Sequence, residues 1–219
     1  MMNPASYSSV PDAIRARRTI RHYQPTPIPA DQLRELLDLT LEAPSSWNFQ
    51  CRSVVVVSDE EGREGLVRAT DGQPQPAEAP VTLVFVAELQ SWREDQSDIY
   101  QQARDNGAWN EEFIAMFAEA GQAFQHDLAE RGLLREYAVK DAMIAATYCM
   151  LAATSMGYAT APMNGWDEQE VKKAIGIDGR DDLAIALLLS IGVAAEERLH
   201  PGRRPHERNV FYGRYGQSR

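Results

Sequence analysis

Arg17, Arg18 and Arg21 fall within the five residues RRTIR, and the hydroxyl of Thr19 stands among them. Guanidinium forks bind doubly charged oxyanions through aligned, charge-assisted hydrogen bonds. A run of cations at a helix end also has a plainer use, which is to complement the helix dipole. A second polar stretch, PSSWNFQ at 44–50, separates an apolar helical pattern from four consecutive valines. It places hydroxyls and amides, Ser45, Ser46, Asn48 and Gln50, where a two- or three-residue turn would have sufficed. Three shorter stretches carry similar potential: GQPQ at 72–75, APMNGW at 161–166 and GRRP at 202–205.

Other chemistries lack sequence support. The four histidines, His22, His126, His200 and His206, form no HExxH or related metal spacing. No GxSxG elbow, Walker loop or GxGxxG after a strand occurs, so neither a hydrolase triad nor the common dinucleotide fold is indicated. Cys51 and Cys149 are far apart and outside any CxxC arrangement, which suits packing rather than a disulfide or zinc framework. With 22 Lys and Arg against 32 Asp and Glu, the formal charge of −10 repels polyanions, so nucleic acid and acidic membrane are poor partners. The absence of a signal-peptide core and of a long apolar span leads to the expectation of a soluble cytoplasmic protein.

The elements that must position these residues follow from periodicity. The 219 residues, 44% hydrophobic and 25% charged, suffice for one domain with a sizeable core. Ser8 or Ser9 with Pro11 and Asp12 starts a helix that should run to about Arg18. A second helix starts near Pro29 and Asp31, places Leu33, Leu36, Leu37, Thr40 and Leu41 on one face, and stops at Ala43-Pro44. Val54–Val57 and Val81–Val86 read as buried strands, and LAIALLLSIGVA at 183–194 as a central one. Residues 91–135 form a helical excursion in which Trp109, Phe113, Phe117, Ala120, Phe124 and Leu128 recur by threes and fours. That face either lies on the body or forms a lid over a pocket. Residues 137–156 are apolar nearly all round, as a core helix or a subunit-interface helix would be. Alternating helices and strands give an α/β or α+β class.

Taken in order, RRTIR, APSSWNFQ, GQPQ, APMNGW and GRRP resemble the FMN-dependent nitroreductase family, in its R-R-S-x-R, A-P-S-S-x-N-x-Q-P, P-x-x-G and C-terminal R-R-P signatures. The resemblance spans about Ala13 to Val210. It implies an α+β sandwich of nitroreductase type, with a central mixed sheet flanked by helices, in an intertwined homodimer holding FMN at the subunit interface. The chain would be a single domain whose tail, about 200–219, wraps the partner.

Residue by residue, the resemblance assigns Arg17 and either Arg203 or Arg204 to the FMN phosphate. Arg18 and Thr19 match the ribityl or phosphate region, with Thr19 in place of the commoner Ser. Arg21 matches a cation beside N1 and O2 of the ring, where it favours the reduced flavin. Gln73 and Gln75 match the amides at the ring's polar edge, although the usual Asn of that loop falls on Gly72. Pro162, Met163, Asn164 and Gly165 match the loop against the central ring, and Pro44, Ser45, Ser46 and Asn48 the segment that reaches the other subunit's flavin. Cys51-Arg52 replaces the usual Pro-Trp.

The implied reaction is a two-step exchange in which NAD(P)H gives hydride to flavin N5 and a nitroaromatic, quinone or similar acceptor then takes the electrons. No catalytic side chain or metal is required. The resemblance also covers dehalogenases, flavin-fragmenting oxygenases, and enone or semialdehyde reductases. A flavin-binding sensor with little turnover remains a reading from another class.

Overall fold

The computed structural model describes residues 9–217. Helix α1, Val10–Ala16, is capped by Ser9, whose Oγ accepts from the Asp12 N–H at 3.3 Å. Ser8, the other candidate cap, and Ser218-Arg219 at the end of the tail lie outside the described residues. The helix stops two residues before Arg18, because Arg17 turns to extended backbone (ψ 129°). The Arg18 guanidinium folds back onto the carbonyls of Arg15, Ala16 and Arg17 at 2.6, 3.1 and 2.8 Å, closing the helix C-terminus.

Four strands form one sheet: β1 (Arg52–Val57), β2 (Val81–Glu88), β3 (Ala159–Met163) and β4 (Leu183–Gly192), in the spatial order β1-β2-β4-β3. Among the described residues the strand pairs are all antiparallel, and the parallel contribution expected of a mixed sheet reduces to a single bridge, Thr19 to Thr160. β4 is interior and apolar, as its composition predicts, except for Ser190, whose hydroxyl pairs with that of Thr82 at 2.8 Å. β1 is an edge strand, so its valines are less covered than a buried strand requires: Val54 and Val55 are half-buried and Val56 is exposed. β3 closes the other edge, where the missing N–H of Pro162 breaks no ladder.

Alternation along β2 sends Leu83, Phe85 and Ala87 to one face and Val84 and Val86 to the other. A bulge after Phe85 leaves Ala186 as an extra residue between Ile185 and Leu187 on β4. The first face is covered by α2 (Ala30–Leu41) and the 22-residue α7 (Leu134–Ser155), which pack through Leu36 and the small residues Ala138, Ala142, Ala145, Ala146, Cys149 and Ala153. The second face carries α3 (Glu60–Ala69) and α8 (Glu168–Ala174), joined through Leu66, Ala69, Val171 and Leu188. Leu41, assigned by periodicity to the buried face of α2, is instead 59% exposed, since α2 ends there and the chain turns away. α7 is buried along one side, yet Ile144 and Tyr148 on its other side are exposed. Among the described residues no helix is long and apolar enough to cross a membrane.

The excursion between β2 and α7 contains α5 (Ser97–Asp105) and α6 (Glu111–Glu130). α6 buries Ile114, Gly121, Gln125 and Leu128, so of the periodic stripe Leu128 is the one member fully covered. Phe113 and Phe124 stay about one-third exposed. The remaining helices are short: α4 (Pro74–Glu78) and α9 (His206–Asn209).

Candidate functional site

Three segments distant in sequence meet at the β3 edge. Thr19 bridges Thr160, and the Ile20 N–H donates to the Thr160 carbonyl at 3.2 Å, which lays RRTIR along β3. The Gln73 Nε2 donates to the Gly165 carbonyl at 3.1 Å, and the Asp167 N–H to the Ala69 carbonyl at 2.7 Å. These bonds join the 70–75 turn to the Pro162-Met163-Asn164-Gly165 segment. Asp71 and Gly72 are both left-handed (φ 53° and 75°), so Gly at 72 costs nothing where the family pattern has Asn.

Gln75 is buried, and its Nε2 lies 3.5 Å from the Gln73 Oε1. The Gln75 Oε1 and the Thr160 Oγ1 are buried without a hydrogen-bond partner, among the described residues. Orphaned acceptors are uncommon in a folded chain and fit a polar ligand completing them. A Cβ built on Gly165 would meet only the Gln73 Nε2 at 3.5 Å, so a ligand can approach that backbone closely.

Beside this edge lies a cavity of about 320 Å³ lined by Arg17, Arg18, Thr19, Arg21, Arg198, His200 and Arg203. Arg17 and Thr19 face one another at 3.5 Å from Nη1 to Oγ1. Burial first, then the nearby cations Arg203 and Arg18, lower the pKa of Arg17. His200 is lowered too, by burial and then by Arg18, Arg203 and Arg17. Glu196 is held down at about 2 by the Arg198 guanidinium and the Arg21 N–H, both of which it binds at 2.7 Å. No carboxylate lies within ion-pair distance of Arg17, Arg21 or Arg203 among the described residues. Arg17, Arg21 and Arg203, gathered without a counter-ion of their own beside the Arg198–Glu196 pair in a chain of net charge −10, describe an anion site. Arg203 reaches the cavity; Arg204 is exposed and does not line it. Arg198 and His200 were not singled out by sequence reasoning, because LHPG carries no pattern of its own.

Pro44, Ser45, Ser46 and Asn48 lie elsewhere, between α2 and β1 at the opposite edge of the sheet. The stretch is wound tightly, with Trp47, Asn48 and Gln50 all left-handed (φ 54°, 46° and 51°). Ser45 and Asn48 line a cavity of about 470 Å³ together with Trp47, Gln102, Asn106, Trp109 and Phe117. Trp47 stands 4.9 Å from Phe117, and Phe117 4.6 Å from Trp109. Gly121 lets α6 settle on the loop, since a Cβ there would come within 3.0 Å of the Phe49 ring. Of the aromatic stripe, Trp109 and Phe117 line this cavity, Phe113 and Phe124 do not, and Leu128 is buried in the body.

The nitroreductase family model matches residues 14–193. An NADH dehydrogenase of Thermus thermophilus is 32% identical over 199 residues, covering 90% of this chain and 92% of its own length. A Bacillus subtilis protein provisionally named NAD(P)H nitroreductase MhqN is 28% identical, over 85% of this chain and 89% of its own. A nitroreductase-type structure from Exiguobacterium sibiricum, solved in complex with FMN, shares the fold with a TM-score of 0.87 at 23% identity, covering 95% of this chain and 99% of that one. An α+β sandwich with a basic cavity and an aromatic pocket is thereby joined to a lineage of oxidoreductases. The chain belongs to the nitroreductase family, which is FMN-dependent.

Proposed function

We propose that the protein is an FMN-dependent oxidoreductase that uses NAD(P)H to reduce nitroaromatics, quinones or related acceptors. The observation that carries this reading is the meeting of residues 17–21, 73–75 and 162–165 at one sheet edge, with orphaned buried acceptors beside a cation-lined cavity. Arg17 and Arg203 would hold the phosphate, and Thr19 and Arg21 the groups next to it. Arg18 contributes charge, while its Nη1 stays on the helix carbonyls. Gln75 would complete its free Oε1 on a ring N–H, and the Gly165 backbone would approach the ring. FMN, when bound, supplies hydride acceptance and release at N5.

The aromatic pocket suits a flat acceptor: Trp47, Trp109 and Phe117 offer π-faces, and Ser45, Asn48, Gln102 and Asn106 offer hydrogen bonds. We infer further that the active unit is a homodimer. The β3 edge and the loop before β1 are separated by three strand spacings, about 14 Å. Two copies let both sets reach one flavin, with Pro44–Asn48 of one chain facing the cofactor held by the other. Exposed apolar residues support an interface on the α1, α2 and α7 surfaces: Val10, Ile14, Leu41, Ile144 and Tyr148. In the tail, Leu199 and Tyr215 are more than nine-tenths exposed, as suits a segment wrapping a partner. Within each copy, α5 and α6 form the excursion that walls the pocket.

The deciding experiment is the visible spectrum of the purified protein before and after anaerobic NADH or NADPH. A flavin spectrum bleached by reduced nicotinamide, and restored by a quinone, is expected. Protein that stays colourless after refolding with FMN overturns the reading, and bound flavin that resists bleaching points to a sensor.

A further inference from the structure

The loop that walls the aromatic pocket is held by two buried charges that no part of the reaction uses. Arg52, 8% exposed, donates from Nη2 to the Ala43 carbonyl, from Nη2 to Leu41 at 3.4 Å and from Nη1 to Pro44 at 3.4 Å. It thereby gathers carbonyls at and just after the end of α2, which lack helical partners. Asp141, 4% exposed on α7, accepts the Ser46 N–H at 3.2 Å. The Tyr137 hydroxyl, one turn earlier, donates to the Ser46 carbonyl at 3.2 Å. Ser46 is therefore pinned through both of its backbone polar groups. The next two residues, Trp47 and Asn48, and then Gln50, take left-handed backbone that residues other than Gly rarely adopt. Such a stretch persists only where its surroundings over-determine it.

Burying either charge is unfavourable, and it raises the pKa of Asp141 and lowers that of Arg52, while their mutual attraction opposes both shifts. A pair of apolar side chains would fill the space at lower cost. What apolar groups cannot do is hold three carbonyls and an N–H in one geometry. We propose that Arg52 and Asp141 are positioning residues for the acceptor pocket: together they fix the left-handed stretch that presents Ser45, Trp47 and Asn48 to it. The inference rests on the reading of the pocket as the acceptor site.

The test compares Arg52→Met, Arg52→Lys, Asp141→Ala and Asp141→Asn in the flavin-loaded protein, with menadione as a flat two-ring acceptor and ferricyanide as one that needs no aromatic pocket. The ratio of kcat/KM for menadione over ferricyanide should fall about tenfold in Arg52→Met and Asp141→Ala. Asp141→Asn keeps an acceptor for the Ser46 N–H and should restore most of the ratio, as should Arg52→Lys in part. Amide hydrogen exchange of a peptide covering 44–50, read on the apoprotein, should speed up in Asp141→Ala more than in Asp141→Asn. Variants that lose thermal stability while the menadione ratio and the exchange at 44–50 stay within twofold of wild type overturn the proposal. Wild-type protein that turns over neither acceptor would overturn the function of the pocket; unchanged exchange in Asp141→Ala would then overturn the positioning role as well.

Discussion

Replacing Arg17 with Ala should move two measurable quantities in opposite directions. In the ligand-free chain Arg17 is half-buried, has no carboxylate partner among the described residues, and is crowded by Arg203 and Arg18. Its removal relieves like-charge repulsion, so the apoprotein should keep or slightly raise its melting temperature. With FMN bound as proposed, the same guanidinium would supply charge-assisted hydrogen bonds to the phosphate. Losing one such bond costs about 1.5–3 kcal/mol, and each 1.4 kcal/mol is tenfold, so the Kd for FMN should rise by about ten- to a hundredfold. Flavin fluorescence titration of the apoprotein measures the affinity, and thermal unfolding of the same sample measures the stability. Two variants separate this account from a general loss of charge. Arg204→Ala lies outside the cavity and should leave Kd within about twofold. Arg18→Ala removes the group that closes α1, so it should lower stability by about 1 kcal/mol and affect FMN less than Arg17→Ala does. An Arg17→Ala protein with unchanged FMN affinity, or one that melts well below wild type without flavin, would refute the reasoning.

Gln75→Leu removes a buried Oε1 that has no partner, so the apoprotein should gain up to about 1 kcal/mol while FMN binding weakens about tenfold, read by urea unfolding and by titration. Tyr137 is pushed up to about 12, chiefly by burial, above its unfolded value of about 10. Its stabilising share is complete below about pH 10 and disappears as pH rises through about 12, so Tyr137→Phe should flatten that part of the urea-midpoint profile. His200 is lowered by burial and by Arg18, Arg203 and Arg17; a bound anion opposes those cations and draws a proton onto the ring. Sulfate should therefore raise the melting temperature more at pH 6 than at pH 8, and His200→Asn should remove the difference. Ending the chain after Pro205 keeps Arg203 but deletes the exposed tail, and should shift sedimentation of the FMN-loaded protein from dimer towards monomer at micromolar concentration.

The stretches that meet at the β3 edge, RRTIR, GQPQ and APMNGW, could be singled out before any fold was known, because each gathers polar side chains or glycine in a short run between apolar elements. What the order of the stretches does not give is their contacts: 17–21 lies along β3 through Thr160, and Gln73 bonds Gly165. The misreadings have local causes. Leu41 fits the apolar period of α2, but period says nothing about the chain leaving the body at that residue. The four valines of β1 read as a buried strand, since composition does not distinguish an interior strand from one at an edge. On α6 the bulky stripe drew attention, while the buried row includes Gly121 and Gln125, residues that carry no apolar signal. Arg198 and His200 became visible only when the chain beyond β4 folded back beside RRTIR.

Cys51-Arg52, where the loop leaves the pattern of its relatives, shows how a departure can be absorbed. Cys51 is buried against Trp92 and Phe49, and burial pushes its thiol up to about 11, so it packs as a small apolar group with no reactive role. Arg52 cannot pack that way, and its guanidinium turns back to the carbonyls left open where α2 ends. The loop therefore begins from a fixed end, is pinned again at Ser46 by α7, and is covered by α6 at Gly121. Fixed at those points, it has one way to run, and the left-handed turns at Trp47 and Asn48 are how it does so. The aromatic wall and the amides of the pocket then keep a constant relation to Ser45 and Asn48, the preorganisation that binding a flat acceptor, as proposed, would require.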